Sequence, residues 1–239
     1  MLENFHTYVM ISGTSSGLGK ALAEDWLSME GVLVEGLSRR SSIKHPRYVH
    51  QFVDLSDEKQ IQNVKINFPK GIQRAVLINN AGTINPVGII DTVDSSSVAA
   101  HFRLNIFAVY SLMQNFLINH PKGALPHIVN ISSGAGSYPV RGWAAYCASK
   151  AAVDAMTKVV AEEHPDIPVW SLAPGIVDTD MQKQIRNSDP NTFPEHQRFV
   201  DYHKNGSLIT PTRIAQKINE LIRNPERIQQ PVFSIRDYL

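Results

Sequence analysis

The chain has 239 residues, of which 43% are hydrophobic and 19% are charged. Lys and Arg total 23, whereas Asp and Glu total 22, so the formal net charge is +1. This balance, without any run of basic residues, gives no electrostatic basis for binding nucleic acid or a membrane surface. A single cysteine, Cys147, excludes an internal disulfide and any site built from several cysteine ligands. The length favours a single domain over residues 1–239.

The N-terminal residues carry no basic segment followed by an apolar run, so we predict no signal peptide. No apolar stretch approaches the roughly eighteen residues that are needed to cross a bilayer. Together with the single cysteine, these features predict a cytoplasmic protein. The nine histidines show no spacing typical of metal ligands, so no metal site is predicted.

Short apolar runs alternate with longer helical patterns along the chain. The predicted strands are residues 8–11, 32–34, 75–78, 127–131 and 169–172, with an edge strand over 231–235. The predicted helices are residues 18–29, a segment after Asp57, 95–118, 144–163 and a last helix that opens at Pro211. Near-continuous apolar strands separated by helices indicate a parallel sheet that is covered on both faces. The predicted fold class is therefore α/β, a doubly wound parallel sheet of the Rossmann type.

A glycine-rich turn follows the first predicted strand. Its residues are Ser12, Gly13, Thr14, Ser15, Ser16, Gly17, Leu18 and Gly19. Glycines here allow a tight bend, a close approach of the backbone to a pyrophosphate, and close packing of the next helix. The N-terminus of that helix presents free N–H groups to the phosphates. Residues 13 and 15–19 are therefore predicted to bind a dinucleotide, and the alternative is a tight turn without a ligand.

The end of the second predicted strand determines which dinucleotide fits. An acidic residue there would bind a ribose 2′-hydroxyl and repel a 2′-phosphate, but the chain has Ser38, Arg39 and Arg40. Because an arginine can contact a phosphate through two hydrogen bonds, the pattern predicts NADP(H). Either arginine could make the contact, and two solvated loop arginines are the alternative. Asp54, at the expected end of the third strand, is predicted to hydrogen-bond the adenine, with Leu55 beside it.

Tyr146 and Lys150 are four residues apart in a predicted helix, so their side chains share one face. A free tyrosine has a pKa near ~10. We expect the neighbouring ammonium to lower this pKa, which would make Tyr146 a usable acid or base. Ser133 follows the fifth predicted strand at the carboxyl edge of the sheet, where its hydroxyl could polarise a carbonyl. The alternatives are a surface Tyr–Lys pair and a serine that satisfies loop backbone.

In this order, these residues resemble the short-chain dehydrogenases/reductases over nearly the whole chain. The motifs are residues 13–19, Asn79-Asn80-Ala81-Gly82, Asn105, Ser133, the Tyr146 and Lys150 pair, and Pro174-Gly175. Residues 130–136, 142–143 and 173–182 look like the benzil reductase branch, which is similar to the sepiapterin reductases. The resemblance implies NADPH-dependent reduction of a small ketone or diketone by a homodimer or homotetramer. Many NADPH-using members have a basic residue inside the glycine turn, where this chain has Ser15 and Ser16.

The resemblance also implies roles for individual residues. Tyr146 would protonate the substrate oxygen that Ser133 holds, while Lys150 would lower the pKa of Tyr146 and bind the nicotinamide ribose. Asn105 would bind a water that links Lys150 to solvent. Further cofactor contacts would come from Asn80, Ala81, Gly82, Pro174, Gly175, Ile176 and Thr179.

Residues 180–207 are expected to form a polar, irregular lid over the substrate. Tyr138, Trp143 and Met181 are candidates for an apolar substrate wall, and packing beneath the lid is the equal alternative. A regulatory protein that senses NADP(H) without turnover is the alternative function. Such proteins should lose the tyrosine or the lysine, and this chain has both.

Overall fold

One seven-stranded sheet forms the centre of the protein in a computed structural model that describes residues 5–239. The strands are β1 (Thr7–Ser12), β2 (Val32–Ser38), β3 (Tyr48–Phe52), β4 (Arg74–Asn79), β5 (Leu125–Ile131), β6 (Val169–Ala173) and β7 (Val232–Ser234). Their order is β3-β2-β1-β4-β5-β6-β7, and all neighbours are parallel. The direction of winding reverses between β1 and β4, which is where doubly wound sheets bind ligands.

Eight α-helices accompany this sheet in the described part of the chain. They are α1 (Gly17–Leu27), α2 (Glu58–Gln62), α3 (Ser95–Phe102), α4 (Ala108–Asn119), α5 (Ala144–Glu163), α6 (Asp180–Arg186), α7 (His196–Lys204) and α8 (Pro211–Arg223). A π-helical turn, Arg103–Phe107, joins α3 to α4. None of the helices in residues 5–239 is long and apolar enough to span a membrane.

The two faces of the sheet bury separate cores, because alternate residues of a strand point to opposite faces. On one face Val9 packs with Leu22 of α1 and Ile218 of α8. On the other face Met10 belongs to the core that contains Phe116 of α4. Since β1 is buried along its whole length, its continuous apolar run is explained by helices on both sides. The predicted doubly wound α/β fold is confirmed.

Three segments differ from the sequence prediction. Strand β3 ends two residues before Asp54, near the expected end of the third strand, but its bounds were not predicted because its partly exposed residues form no continuous apolar run. The single helix predicted over 95–118 is divided by the π turn that contains Asn105. The lid predicted to be irregular contains the two helices α6 and α7, which are short and mostly polar.

Candidate active site

The carboxyl ends of the central strands open onto one cleft of about 1470 Å³. Every residue that the sequence analysis assigned to cofactor binding or catalysis lines this cleft, except Gly19 and Asn105. The cleft exceeds the ~300–1,000 Å³ of an ordinary small-molecule pocket. It therefore has room for a dinucleotide and a substrate together.

The glycine turn lies against the loop that follows β4. The backbone N–H groups of Asn80 and Ala81 donate to Ser12 Oγ at 2.9 and 3.0 Å, and Asn80 Nδ2 donates to the Ser12 carbonyl at 3.0 Å. At Gly13, where φ is +77°, a Cβ would lie 2.9 Å from Ala81 Cα. A Cβ at Gly19 would overlap the Gly13 carbonyl, so Gly19 permits helix packing and does not face the cleft.

Two arginines follow β2 at the far end of the cleft. Ser38 Oγ donates to the Arg40 carbonyl at 2.7 Å and so fixes the backbone between them. Both Arg39 and Arg40 are exposed and line the cleft. At the end of the neighbouring strand β3, hydrogen bonds from Ser56 lower the pKa of Asp54, with a smaller contribution from the charge of Arg39. Arg39 is thus electrostatically coupled to the residue predicted to meet the adenine.

Ser133, Tyr146 and Lys150 lie together at the other end of the cleft. Tyr146 and Lys150 are only 7% and 6% exposed. Lys150 Nζ donates to the Ile131 carbonyl at 2.8 Å and lies 5.7 Å from the centroid of the Tyr146 ring. Ser133 Oγ accepts from the Ala135 N–H at 3.2 Å, and its hydroxyl is close enough to Tyr146 to affect the pKa of the phenol. A surface Tyr–Lys pair is therefore excluded.

Burial sets the protonation of this group. It raises the pKa of Tyr146 to about 12, although the polar hydroxyl of Ser133 acts in the opposite direction. The prediction that Lys150 brings this pKa towards neutrality is wrong, because the cost of burying a phenolate raises the pKa of Tyr146 above that of a free tyrosine. Burial likewise lowers the pKa of Lys150 to about 8, and the carboxylate of Asp154 opposes that change. Tyr146 is consequently a protonated phenol at neutral pH, which is the form that can donate a proton.

Asn105 lies in the π turn behind the floor of the cleft. Its Nδ2 donates to the Thr83 carbonyl at 2.8 Å, and its Oδ1 accepts from the Thr83 N–H at 3.0 Å. A Cβ at Gly82 would lie 3.5 Å from Asn105 Oδ1 and 3.8 Å from Lys150 Nζ. A side chain at residue 82 would thus make ordinary van der Waals contacts with both groups, and Gly82 leaves that space to the cleft. A single π turn inside an α-helix is often found at a functional site.

The lid carries an aromatic cluster above Tyr146. Trp143 stacks on Phe193 with ring centroids 5.2 Å apart and planes at 7°, and Phe199 lies 5.0 Å from Trp143. Trp143 packs beneath the lid and also lines the cleft, so its role as a substrate wall stays a prediction. Met181 is half-buried at the wall, whereas Tyr138 is 73% exposed at the rim.

Several side chains that surround the site were not predicted from the sequence. His101 and Ser149 lie behind Asn105, and Ser234 and Arg236 reach the cleft from the C-terminal segment. His101 precedes Asn105 by four residues, so helical spacing alone could have placed both on one face. The C-terminal residues left no such signal, because only the pairing of β7 with β6 brings them to the cleft.

A glycine turn after β1, a cationic segment after β2 and a buried Tyr–Lys pair define the site of a dinucleotide-dependent oxidoreductase. Comparison with known families agrees with this class. The model of the short chain dehydrogenase family matches residues 7–190. The chain therefore belongs to the short-chain dehydrogenase family, whose members are oxidoreductases that use nicotinamide cofactors.

Individual relatives match over almost their full length. The chain is 33% identical to benzil reductase ((S)-benzoin forming) of Bacillus cereus, covering 95% of this chain and 98% of the relative. It is 32% identical to sepiapterin reductase of Bos taurus, covering 91% and 90%. Among solved structures, a short-chain dehydrogenase/reductase of Saccharomyces cerevisiae gives a TM-score of 0.83 at 24% identity over 96% of each chain, which shows a shared fold.

Proposed function

We propose that the protein reduces a small ketone or diketone to the alcohol with NADPH, and that Tyr146 is the proton donor. The observation that carries this proposal is the buried Tyr146, which lies on the wall of the cleft with Ser133 and has the Lys150 ammonium 5.7 Å from its ring centroid. The similarity to benzil and sepiapterin reductases supports a carbonyl substrate. An aromatic wall with a few polar groups suits a small, largely apolar ketone.

The residues of the cleft fit a dinucleotide. Gly17, at φ +56°, keeps the start of α1 bare, and a Cβ there would lie 3.2 Å from Thr179 Cγ2. Free N–H groups at this helix start suit a pyrophosphate. The groups that would hold the cofactor are Gly13, Ser15–Leu18, Ser38–Arg40, Asp54, Leu55, Asn80–Gly82, Tyr146, Lys150, Pro174–Ile176 and Thr179. Arg39 and Arg40 support NADPH, because within residues 5–239 neither forms an ion pair and both face the cleft.

A reduced nicotinamide bound in the cleft supplies a hydride for the carbonyl carbon. Ser133 donates a hydrogen bond to the carbonyl oxygen and stabilises the negative charge that develops there. Tyr146 then gives its proton to that oxygen, so the product is a neutral alcohol. The Lys150 ammonium stabilises the phenolate that remains, until a proton returns from solvent. The water predicted to link Lys150 and Asn105 stays a prediction.

We also propose a cytoplasmic, single-domain homo-oligomer. Tyr110 and Ile118 of α4 and Val159 of α5 are large hydrophobic side chains that are more than half exposed. Association through these two helices would bury them. Size-exclusion chromatography with light scattering tests this, and a monomer at micromolar concentration would reject it.

The experiment that tests the function follows the absorbance of NADPH, beside NADH, with a panel of aromatic diketones and simple ketones. Turnover should occur with NADPH, and Tyr146→Phe should lower kcat by about 10²–10⁴-fold, the usual contribution of a general acid. Fluorescence titration should show that Tyr146→Phe still binds NADPH. Saturable NADPH binding without turnover by the wild type would favour the sensor function, and absence of binding would reject the cofactor assignment.

A further inference from the structure

A buried histidine lies directly behind the proposed proton donor. His101, on α3, is 1% exposed, and its ring centroid lies 6.3 Å from that of Tyr146. Its Nδ1 is 2.7 Å from the carbonyl oxygen of Asn85. A carbonyl can only accept, so Nδ1 carries the proton. In the neutral ring Nε2 is then an acceptor.

The acceptor nitrogen of His101 faces the Asn105 amide. Asn105 Nδ2 lies 3.1 Å from His101 Nε2, while the Thr83 carbonyl takes the other amide N–H at 2.8 Å. A flipped Asn105 amide would set Oδ1 against the Thr83 carbonyl and Nδ2 against the Thr83 N–H. The backbone of Thr83 therefore fixes the amide orientation, and the N–H that remains has His101 Nε2 as its nearer acceptor, with Ser149 Oγ at 3.3 Å.

The same nitrogen reaches the helix that carries Tyr146. Ser149 Oγ lies 3.0 Å from His101 Nε2 and 2.8 Å from the Tyr146 carbonyl oxygen, and its one proton can go to only one of these two acceptors. The imidazole thus joins three segments: the loop after β4 through Asn85, the π turn through Asn105, and α5 through Ser149. These segments carry the cleft floor, the proposed water site and the proton donor.

We propose that His101 is a positioning residue of the reductase reaction, whose neutral imidazole accepts the Asn105 amide N–H and packs against the Ser149 hydroxyl behind Tyr146. This role rests on the proposed function. It predicts that the site works only while His101 is neutral. A second proton would turn Nε2 into a donor, and two N–H groups would then face each other across the 3.1 Å contact with Asn105.

The charges around His101 oppose that second proton. From α5, the Lys150 ammonium and the Tyr146 hydroxyl group lie on its side of the helix, while residues 83–86 contribute no charged side chain. Burial lowers the pKa of His101 first, and the charge of Lys150 lowers it further. A rate that depends on neutral His101 is therefore full at neutral pH and declines as the pH falls through a value below 6.5.

Two variants test this role. His101→Phe keeps a ring but removes both nitrogens, whereas His101→Gln keeps one acceptor and one donor without a titrating group. We expect His101→Phe to lower kcat by about tenfold, the size expected when a buried N–H loses its acceptor, with KM for NADPH nearly unchanged. His101→Gln should recover most of that loss. The acid limb of kcat should be present in the wild type and absent from both variants.

The outcomes separate this role from a purely structural one. A variant that melts earlier but keeps the wild-type kcat and acid limb would overturn the proposal. Long-range ¹H–¹⁵N spectra of the histidines, assigned by the missing signal in His101→Gln, give a readout that needs no substrate. They should show the Nδ1–H tautomer at His101 at neutral pH, and an Nε2–H tautomer or an imidazolium there would also overturn it. A wild type without turnover on any ketone would reject the proposed function. The tautomer of His101 in these spectra would then decide by itself whether the imidazole is held as proposed.

Discussion

The Lys150 ammonium donates a 2.8 Å hydrogen bond to the carbonyl of Ile131, the last residue of β5. Ser133 follows two residues later, so this contact ties α5 to the strand end that carries the predicted oxygen-binding hydroxyl. Tyr146 is one turn before Lys150 on the same helix face. The distance between the tyrosine and the serine is thus set by the protein alone. Donors that are fixed before the ligand arrives are the main source of transition-state stabilisation in such sites.

The charge of Lys150 depends on a carboxylate one helical turn further on. Asp154 accepts a hydrogen bond of 2.5 Å from Ser171 Oγ, and its charge raises the pKa of Lys150 against the effect of burial. Asp154→Asn should lower that pKa further below its wild-type value of about 8. With this lower pKa, Lys150 loses its positive charge at a lower pH than in the wild type. We expect the alkaline limb of kcat/KM for NADPH to move down by roughly one pH unit.

Ser171→Ala is the matched control for the charge of Asp154. It removes the 2.5 Å hydrogen bond but keeps the carboxylate, so the alkaline limb should stay close to that of the wild type. If Asp154→Asn leaves the limb in place, Lys150 is not the group whose charge limits the rate at high pH.

Removal of Arg39 or Arg40 should change the choice of cofactor. A charge-assisted hydrogen bond to the 2′-phosphate is worth about 1.5–3 kcal/mol, so loss of the contacting arginine should lower kcat/KM for NADPH about 10- to 100-fold. The value for NADH should stay the same or rise. Arg39→Ala is expected to have the larger effect, because Arg39 is the arginine whose charge acts on Asp54.

Lys44 offers a control for general electrostatic attraction. Lys44 is exposed and follows Arg39 by five residues and Arg40 by four, but it does not line the cleft. Lys44→Ala should leave the ratio of NADPH to NADH activity unchanged. An equal fall in activity for both cofactors in Arg39→Ala and Arg40→Ala would show that neither arginine reads the phosphate.

The sheet and the gathering of Ser133, Tyr146 and Lys150 could be predicted from the sequence, because buried parallel strands are continuous apolar runs and each polar group follows such a run. The π turn at Asn105 could not, since one extra residue in a helical turn leaves no mark in the apolar pattern. The end of strand β3 near Asp54 was expected, but its extent was not, because an edge strand is partly solvated and forms no continuous apolar run.

The pKa of Tyr146 shows a different limit. The four-residue spacing correctly puts an ammonium beside the phenol, but spacing carries no information about how deeply both groups are buried. Burial dominates, and only the three-dimensional structure supplies it. His101 belongs to the same category, because its neighbours Asn85 and Ser149 come from distant parts of the chain.

The aromatic cluster of the lid should support both stability and substrate binding. Phe193 is fully buried against Trp143 and Phe199, so Phe193→Ala should cost about 3–5 kcal/mol in the free energy of unfolding. Since Trp143 lines the cleft, loss of its stacking partner should also raise KM for an aromatic ketone while KM for NADPH changes little. Urea unfolding and steady-state kinetics measure the two effects.

Ile90 provides the comparison for this lid variant. It is 77% exposed, so Ile90→Ala should change the free energy of unfolding by less than about 0.5 kcal/mol. If Phe193→Ala also changes the free energy of unfolding by less than about 0.5 kcal/mol and leaves KM for the ketone unchanged, the lid does not pack on Trp143 in solution and this prediction is wrong.

His127, on β5, should make the stability of the protein sensitive to acid. Its ring meets Trp170 edge-on at 4.0 Å, and within residues 5–239 its Nε2 has no hydrogen-bond partner. Burial lowers the pKa of His127 to about 3 from an ordinary 6.5, and the charge of Arg74 adds to the effect. The unfolded chain therefore takes up a proton below pH 6.5 that the folded protein does not.

The sign of this linkage fixes the prediction. Neutral His127 contributes its full stability above pH 6.5, and that stability is lost as the pH falls from 6.5 towards 3. Between pH 7 and pH 5 the loss from this one group is about 2 kcal/mol. His127→Phe keeps a buried ring without a titrating group. Its free energy of unfolding, measured with urea at pH 5, 6 and 7, should therefore fall about 2 kcal/mol less between pH 7 and pH 5 than that of the wild type. His203→Gln removes an exposed histidine and should retain the wild-type slope. If the free energy of unfolding depends on pH equally in His127→Phe and the wild type, His127 is not held neutral by burial against Trp170, and this prediction is wrong.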